Sequence, residues 1–191
     1  FKKMKDLVKE GQIVISIMAG VTIKSMQDQL GLQKIVRAMP NLPAQIGKGV
    51  TSYTASKEVS RIELLTIENL LDTTGKSILV SSEKFIDAST GISGSGPAYV
   101  FYFMQSMMEA ALKMGFSGND SKMLVSHTFE GAVELFNQSD LSPNSWMERV
   151  ASKGGTTRAA LDSMEDNNVK ELIKEAAYSA FNRAVELGQD K

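Results

Sequence analysis

Between residues 12 and 80, short apolar runs alternate with stretches in which apolar residues return every three or four positions. The runs "IVISIM" (13–18), "KIVRAM" (34–39), "GVTSYT" (49–54) and "KSILV" (76–80) predict strands, and "TIKSMQDQL" predicts a helix between the first two. A further helix fills the gap before the fourth run. Ser56 is its candidate N-cap, Val59, Ile62, Leu65, Ile67 and Leu70 form its apolar stripe, and Gly75 closes it. Strands joined by helical crossovers imply a largely parallel α/β sheet. After about residue 90 the strand pattern stops. "PAYVFYFMQSMMEAALKMG" starts at Pro97 and is apolar on most faces, with Gln105, Glu109 and Lys113 as one polar stripe at four-residue spacing. Helices follow over 119–138, near 143–151, over 156–166 and over 168–187, the last ended by Gly188. The fold class is therefore α/β followed by all-α, with the join somewhere in 81–96.

Composition narrows the chemistry. Basic and acidic residues are interspersed, with a formal net charge of −1, so no patch suits nucleic acid or an anionic membrane. Zero cysteines exclude disulfides and thiolate chemistry, one histidine excludes a histidine-cluster metal site, and the scattered acids form no metal-ligand pattern. No metal is expected. The lack of cysteine fits a cytoplasmic setting, and no apolar run approaches the roughly 18 residues of a membrane span. The chain opens at Phe1 on the helix-like "FKKMKDLVKE" and passes at once into a strand, which reads as a fragment of a longer protein.

Four stretches carry candidate chemistry. In "VASKGGTTRAALDSMED" (150–166), two glycines and two threonines sit at the mouth of an amphipathic helix. The N–H groups of Gly155, Thr156 and Thr157, with Ser152 beside them, can form a nest for a carboxylate or phosphate at the positive end of the helix dipole. The same cluster also fits a plain inter-helix turn capped by threonine. "GISGSGPAY" (91–99) is GxxGxG without the Lys-Ser/Thr of a phosphate loop and without a buried strand feeding it. Close backbone approach to a ligand or another helix suits it better than phosphate binding. "RAMPNLPAQIG" (37–47) and the "MAG" at 18–20 lie where strands leave the sheet, which is where α/β sheets hold ligands. That placement singles out Asn41, although ordinary loop chemistry would also explain it. His127, flanked by Leu124, Val125 and Phe129, reads as a partly buried structural residue with no carboxylate partner.

Taken in order, "VISIMAGVTI", "VRAMPNLPAQIGKG", "DASTGISGSGPAYVFYFMQSMMEAALKMG" and "VASKGGTTRAALDSME" resemble the pyrroline-5-carboxylate reductase family over essentially the whole chain. The resemblance implies that residues 1–88 are the C-terminal part of a Rossmann-like NAD(P)-binding domain and 89–191 a helical dimerisation and substrate-binding domain. It implies reduction of 1-pyrroline-5-carboxylate to L-proline with NADPH or NADH, the last step of proline biosynthesis. Ser152, Gly154, Gly155, Thr156 and Thr157 would bind the substrate, and the Thr157 hydroxyl would meet the ring nitrogen as the catalytic contact. Ala19 and Asn41 would face the cofactor. The family's opening strand and Gly-rich loop would precede Phe1, and Lys153 stands where the family usually has proline.

The broad apolar surface of the helices at 97–115 and 119–138 argues independently for a homodimer or higher homo-oligomer. Each site would then combine the α/β part of one subunit with the helical part of the other. Two other readings stay open: a non-catalytic fragment or pseudoenzyme serving as a helical dimerisation module, and a two-domain hydroxy-acid dehydrogenase. The second needs a catalytic lysine or histidine that the sequence does not place.

Overall fold

The computed structural model describes residues 1–189. A short helix α1 (Lys2–Lys5) precedes β1 (Val14–Ser16), α2 (Ile23–Leu30), β2 (Ile35–Met39), β3 (Gly49–Ala55), α3 (Arg61–Asp72), β4 (Gly75–Leu79) and α4 (Glu83–Ser89). A single π-helical turn, Thr90–Gly94, leads into α5 (Gly96–Lys113), α6 (Gly118–Asn137), α7 (Pro143–Val150), α8 (Thr156–Asp166) and α9 (Val169–Gln189).

The strands make one sheet in the order β1-β2-β3-β4. β1 pairs with β2 and β3 with β4 in parallel, each connected through a helix. β2 and β3 are antiparallel, with Ala38 opposite Tyr53. Their connection is a single 3₁₀ turn, Leu42–Ile46, too short for the crossover that a parallel pair requires. The sheet is mostly parallel with one reversed joint.

β2 is buried along its whole length, which is why its sequence reads as a continuous run and not an alternation. Val36 and Ala38 pack with Tyr53, Val59 and Ile67, while Ile35 joins Val21, Met26, Leu30 and Leu32. α2 is bounded by local chemistry. The Thr22 hydroxyl accepts the Ser25 N–H at 3.1 Å, and Gly31 ends the helix in the left-handed region at φ 71°.

α3 departs from its sequence reading at three points, the first being its end: Asp72 is its last residue, Thr73 its C-cap, and Gly75 opens β4. The N-cap of α3 is Ser60, which forms a capping box with Glu63: the Glu63 N–H donates to Ser60 Oγ at 3.4 Å, and the Ser60 N–H donates to Glu63 Oε2 at 2.8 Å. Ser56 instead locks the edge of the sheet, accepting the Ile35 N–H and donating to the Gln33 carbonyl. The buried side of α3 is Leu64, Ile67 and Leu71, continuing from Val59, whereas Ile62, Leu65 and Leu70 face outward at 79%, 54% and 56% exposure. Two apolar stripes share this helix, and only one meets the sheet.

The chain divides into two compact units. The first holds residues 1–97 and the chain from Glu175 onward, and the second holds Ala98–Lys174. In the first, α9 continues through Gly188 instead of ending there. A Cβ on Gly188 would meet the Gly20 carbonyl only at ordinary contact distance, whereas a Cβ on Gly20 would lie 2.6 Å from the Leu187 backbone. Only glycine fits that approach, and its φ of +70° also favours glycine. In the second unit none of the 18 residues of α5 is buried, and Gln105 donates to Glu109 along the polar stripe at 2.8 Å. Among the described residues no helix is long and apolar enough to cross a membrane.

Lys34 Nζ lies 2.6 Å from Glu63 Oε1, tying β2 to the start of α3. That bond first, then those from Ser60, lowers the Glu63 carboxyl from 4.5 to about 2. A carboxyl more acidic in the folded state contributes stability above its unfolded pKa and loses it as pH falls toward the folded one. Glu63→Gln should therefore unfold at lower urea than wild type at neutral pH. The gap between the two midpoints should close as pH falls from 4.5 to about 2; a gap constant over that window would contradict the assignment.

Candidate functional site

The turn before α8 is built by its two glycines for different reasons. Gly154 has φ +73°, a conformation that other L-residues adopt at a cost. Gly155 is extended at φ −83° and ψ 171°, but a Cβ there would strike the Ser152 hydroxyl oxygen. The first glycine turns the chain and the second lets Ser152 fold over the mouth of the helix. No side chain caps α8.

Sequence reading assigns the Gly155 N–H to a ligand, but the structure gives it another partner: it donates to the Ser152 carbonyl at 3.0 Å, closing the turn. The first amide bonded back into the helix is Ala159, which donates to the Gly155 carbonyl. Thr156, Thr157 and Arg158 lie between them, and among the described residues their N–H groups have no acceptor. They are the open donors that every helix start leaves. The Ser152, Thr156 and Thr157 hydroxyls likewise have no partner among the described residues. Arg158 turns its guanidinium along the helix to Asp162 at 2.7 Å, leaving the mouth to the amides and hydroxyls. The arrangement can hold a small anion by its backbone and offer a hydroxyl to a neighbouring polar atom.

The other candidate residues belong to the first unit. Ala19 is half-buried in the turn that leaves β1, with the Met18 N–H donating to Ser16 Oγ at 3.3 Å behind it. Asn41 follows β2 through Pro40. Its Oδ1 accepts the Val50 N–H at 2.9 Å, which fixes the orientation of the amide and leaves its NH2 end to donate elsewhere. The glycines at 91–96 form no phosphate cradle. They lie in the π-turn and the start of α5, where a Cβ on Gly91 would come 2.9 Å from the Ala177 carbonyl of α9.

His127 is not buried. It lies on the outer face of α6 with its side chain 73% exposed, 3.3 Å from Glu130 one turn on, a partner that i,i+3 spacing provides. Sequence reasoning also passes over Arg37, which is 1% exposed in β2. Its Nη1 meets Glu83 Oε1 at 3.2 Å and its Nη2 meets Asp87 Oδ1 at 2.6 Å, while Nε is buried without a partner among the described residues. The available signal was a lone arginine inside the apolar run "IVRAM".

Residues 83–187 match the family described as pyrroline-5-carboxylate reductase dimerisation. The chain is 36% identical over 177 residues to pyrroline-5-carboxylate reductase 2 of Bacillus subtilis, covering 92% of this chain and 63% of that protein. It is also 36% identical over 183 residues to the Pseudomonas aeruginosa pyrroline-5-carboxylate reductase, covering 95% and 67%. The structure superposes on a pyrroline-5-carboxylate reductase from Coxiella burnetii with TM-score 0.89 at 35% identity, covering 97% of this chain and 70% of that one. A Plasmodium falciparum pyrroline carboxylate reductase with NADP bound gives TM-score 0.88 at 33% identity, covering 93% and 70%. The chain thus spans about two thirds of the length of these relatives.

The glycine roles give a stability ordering. Gly154→Ala should lower the free energy of unfolding by about 1 kcal/mol, the usual cost of a left-handed residue with a Cβ. Gly155→Ala should cost less and act by turning the Ser152 hydroxyl away. Urea titrations of the two variants check this, and a larger loss at 155 would contradict it.

Proposed function

We propose, because this chain belongs to the pyrroline-5-carboxylate reductase family, that it reduces the C=N bond of 1-pyrroline-5-carboxylate to give L-proline. The observation that carries the reading is the fan of open donors at Thr156, Thr157 and Arg158, with the Ser152 and Thr157 hydroxyls beside it, inside the segment that the family match covers.

Reduction adds one hydride to the ring carbon and one proton to the nitrogen, so the C=N double bond becomes a single bond and the imine an amine. When bound, NADPH or NADH would supply the hydride and be oxidised in doing so. The amides of Thr156 and Thr157 take the substrate carboxylate, with Ser152 covering it. Gly154 and Gly155 give the turn its shape. The Thr157 hydroxyl hydrogen-bonds the ring nitrogen, which steadies it as it gains its proton. No nucleophile is needed, since a protonated imine is already electrophilic. Holding the reactants in line can contribute on the order of 7–11 kcal/mol. Ala19 and the Asn41 amide would hold the nicotinamide end of the cofactor.

The exposed apolar side chains of the second unit support a homodimer. Phe101 and Tyr102 of α5 and Met123 and Phe136 of α6 are 58%, 73%, 54% and 47% exposed, a surface that water does not favour and a second copy would cover. A cytoplasmic setting suits the cysteine-free chain.

The direct test follows loss of NADPH absorbance when 1-pyrroline-5-carboxylate is added to this chain carrying the family's Gly-rich segment upstream. Turnover is expected, and Thr157→Ala should reduce it about 10- to 100-fold, the worth of a hydrogen bond to a charging atom, while Thr157→Ser should retain most of it. Wild-type turnover in the alanine variant would contradict the role of the hydroxyl. Binding of L-proline without turnover would favour a non-catalytic module. Sedimentation should give a dimer, and a monomer at micromolar concentration would contradict the covered-surface reading.

A further inference from the structure

The two turns read as facing the cofactor converge on one carboxylate. Glu83 Oε1, at the start of α4, accepts the Ile23 N–H at 2.9 Å and the Arg37 Nη1–H at 3.2 Å. Ile23 stands four residues after Ala19, and Arg37 four residues before Asn41. We propose that Glu83 is a positioning residue that holds the Ala19 turn and the Asn41 loop in a fixed relation to one another. The assignment rests on the reading of those two residues as cofactor-facing, but its mechanical content does not.

The chain between each anchor and its turn has little freedom. From Ile23 backwards, the Thr22 hydroxyl caps α2 and Gly20 lies against the Leu187 backbone, so the turn cannot shift toward α9. From Arg37 forwards, β2 is bonded to both neighbours, Pro40 fixes one dihedral, and Asn41 Oδ1 is held by the Val50 N–H. A movement of Glu83 therefore reaches both loops. Arg37 makes the restraint stiff. Its buried guanidinium already leaves Nε without a partner among the described residues, so losing Glu83 would leave Asp87 as its only carboxylate there. A buried cation so depleted recovers hydrogen bonds only by opening its surroundings to water, and those surroundings are β2 and α4.

Amide hydrogen exchange on the intact chain reads both ends. The Ile23 amide reports the bond to Glu83, and the Val50 amide reports the side chain of Asn41, nine residues away in sequence and with no bond to Glu83. Glu83→Ala should speed exchange at both amides by about tenfold relative to Leu64 of α3, whose amide donates to the Ser60 carbonyl. Glu83→Gln keeps an acceptor oxygen and should restore most of the protection at Ile23 and Val50. The proposal is overturned if Val50 gains no more exchange than Leu64 in the alanine variant, whether because only Ile23 loosens or because the whole unit does.

A parallel titration with NADPH separates this from the cofactor reading. If wild type binds, Glu83→Ala should weaken binding by about tenfold or more, as misplaced contacts do; unchanged affinity with both loops loosened would overturn the positioning role. If wild type binds no NADPH, the exchange data alone decide whether Glu83 couples the loops.

Discussion

A guanidinium enclosed in the middle of the sheet governs the α/β unit. Arg37 occupies a strand in which every residue is buried, and a charge in that position must bring its counter-charges with it. Glu83 and Asp87 supply them from one face of α4, at the four-residue spacing that puts two side chains side by side on a helix. The pairing determines where α4 lies against β2. It also gives the first turn of α2 an acceptor through Ile23, so one ion cluster ties β2 to the starts of α2 and α4. Apolar packing of Val36, Ala38, Tyr53 and Ile67 supplies the adhesion on which this arrangement depends, but packing alone does not set such a register.

In the proposed function the second unit meets a different demand. A reducible cyclic imine with a carboxylate needs an anion grip and a polar contact to nitrogen, both on rigid backbone, without a nucleophile or a metal. The start of α8 offers open amides at Thr156 and Thr157, while Gly154 provides the reversal that brings Ser152 beside them. The bond from the Gly155 N–H to the Ser152 carbonyl spends one donor to close the turn. Closing the turn is what holds the remaining donors in place, so the loss of that donor strengthens the site as a preorganised one.

Much of this was legible in the residues. β2 announced itself because a strand buried along its length reads as a near-continuous apolar run, and the split into sheet and helices followed from where short runs of that kind stop. The reversal between β2 and β3 was not read from the sequence, although the nine residues "PNLPAQIGK" cannot hold a crossover helix. Other features were not. Ser56 and Ser60 both precede the same apolar stripe, and the Ser60–Glu63 pair identifies the cap only once the helix start is known. α3 carries apolar residues on two faces, and periodicity does not say which one meets the sheet. The partners of Arg37 lie 46 and 50 residues away, beyond any local pattern. The closure of the 152–155 turn is a backbone bond, invisible in side-chain identities.

The central claim is that the amides of Thr156 and Thr157 hold the acid group of a small cyclic substrate. A crystal structure of the chain with L-proline tests it most directly. The account predicts both carboxylate oxygens within about 2.7–3.2 Å of those two nitrogens, with the ring nitrogen facing the Thr157 hydroxyl. Proline seated elsewhere, with the two amides bonded to water or to protein carbonyls, would contradict it.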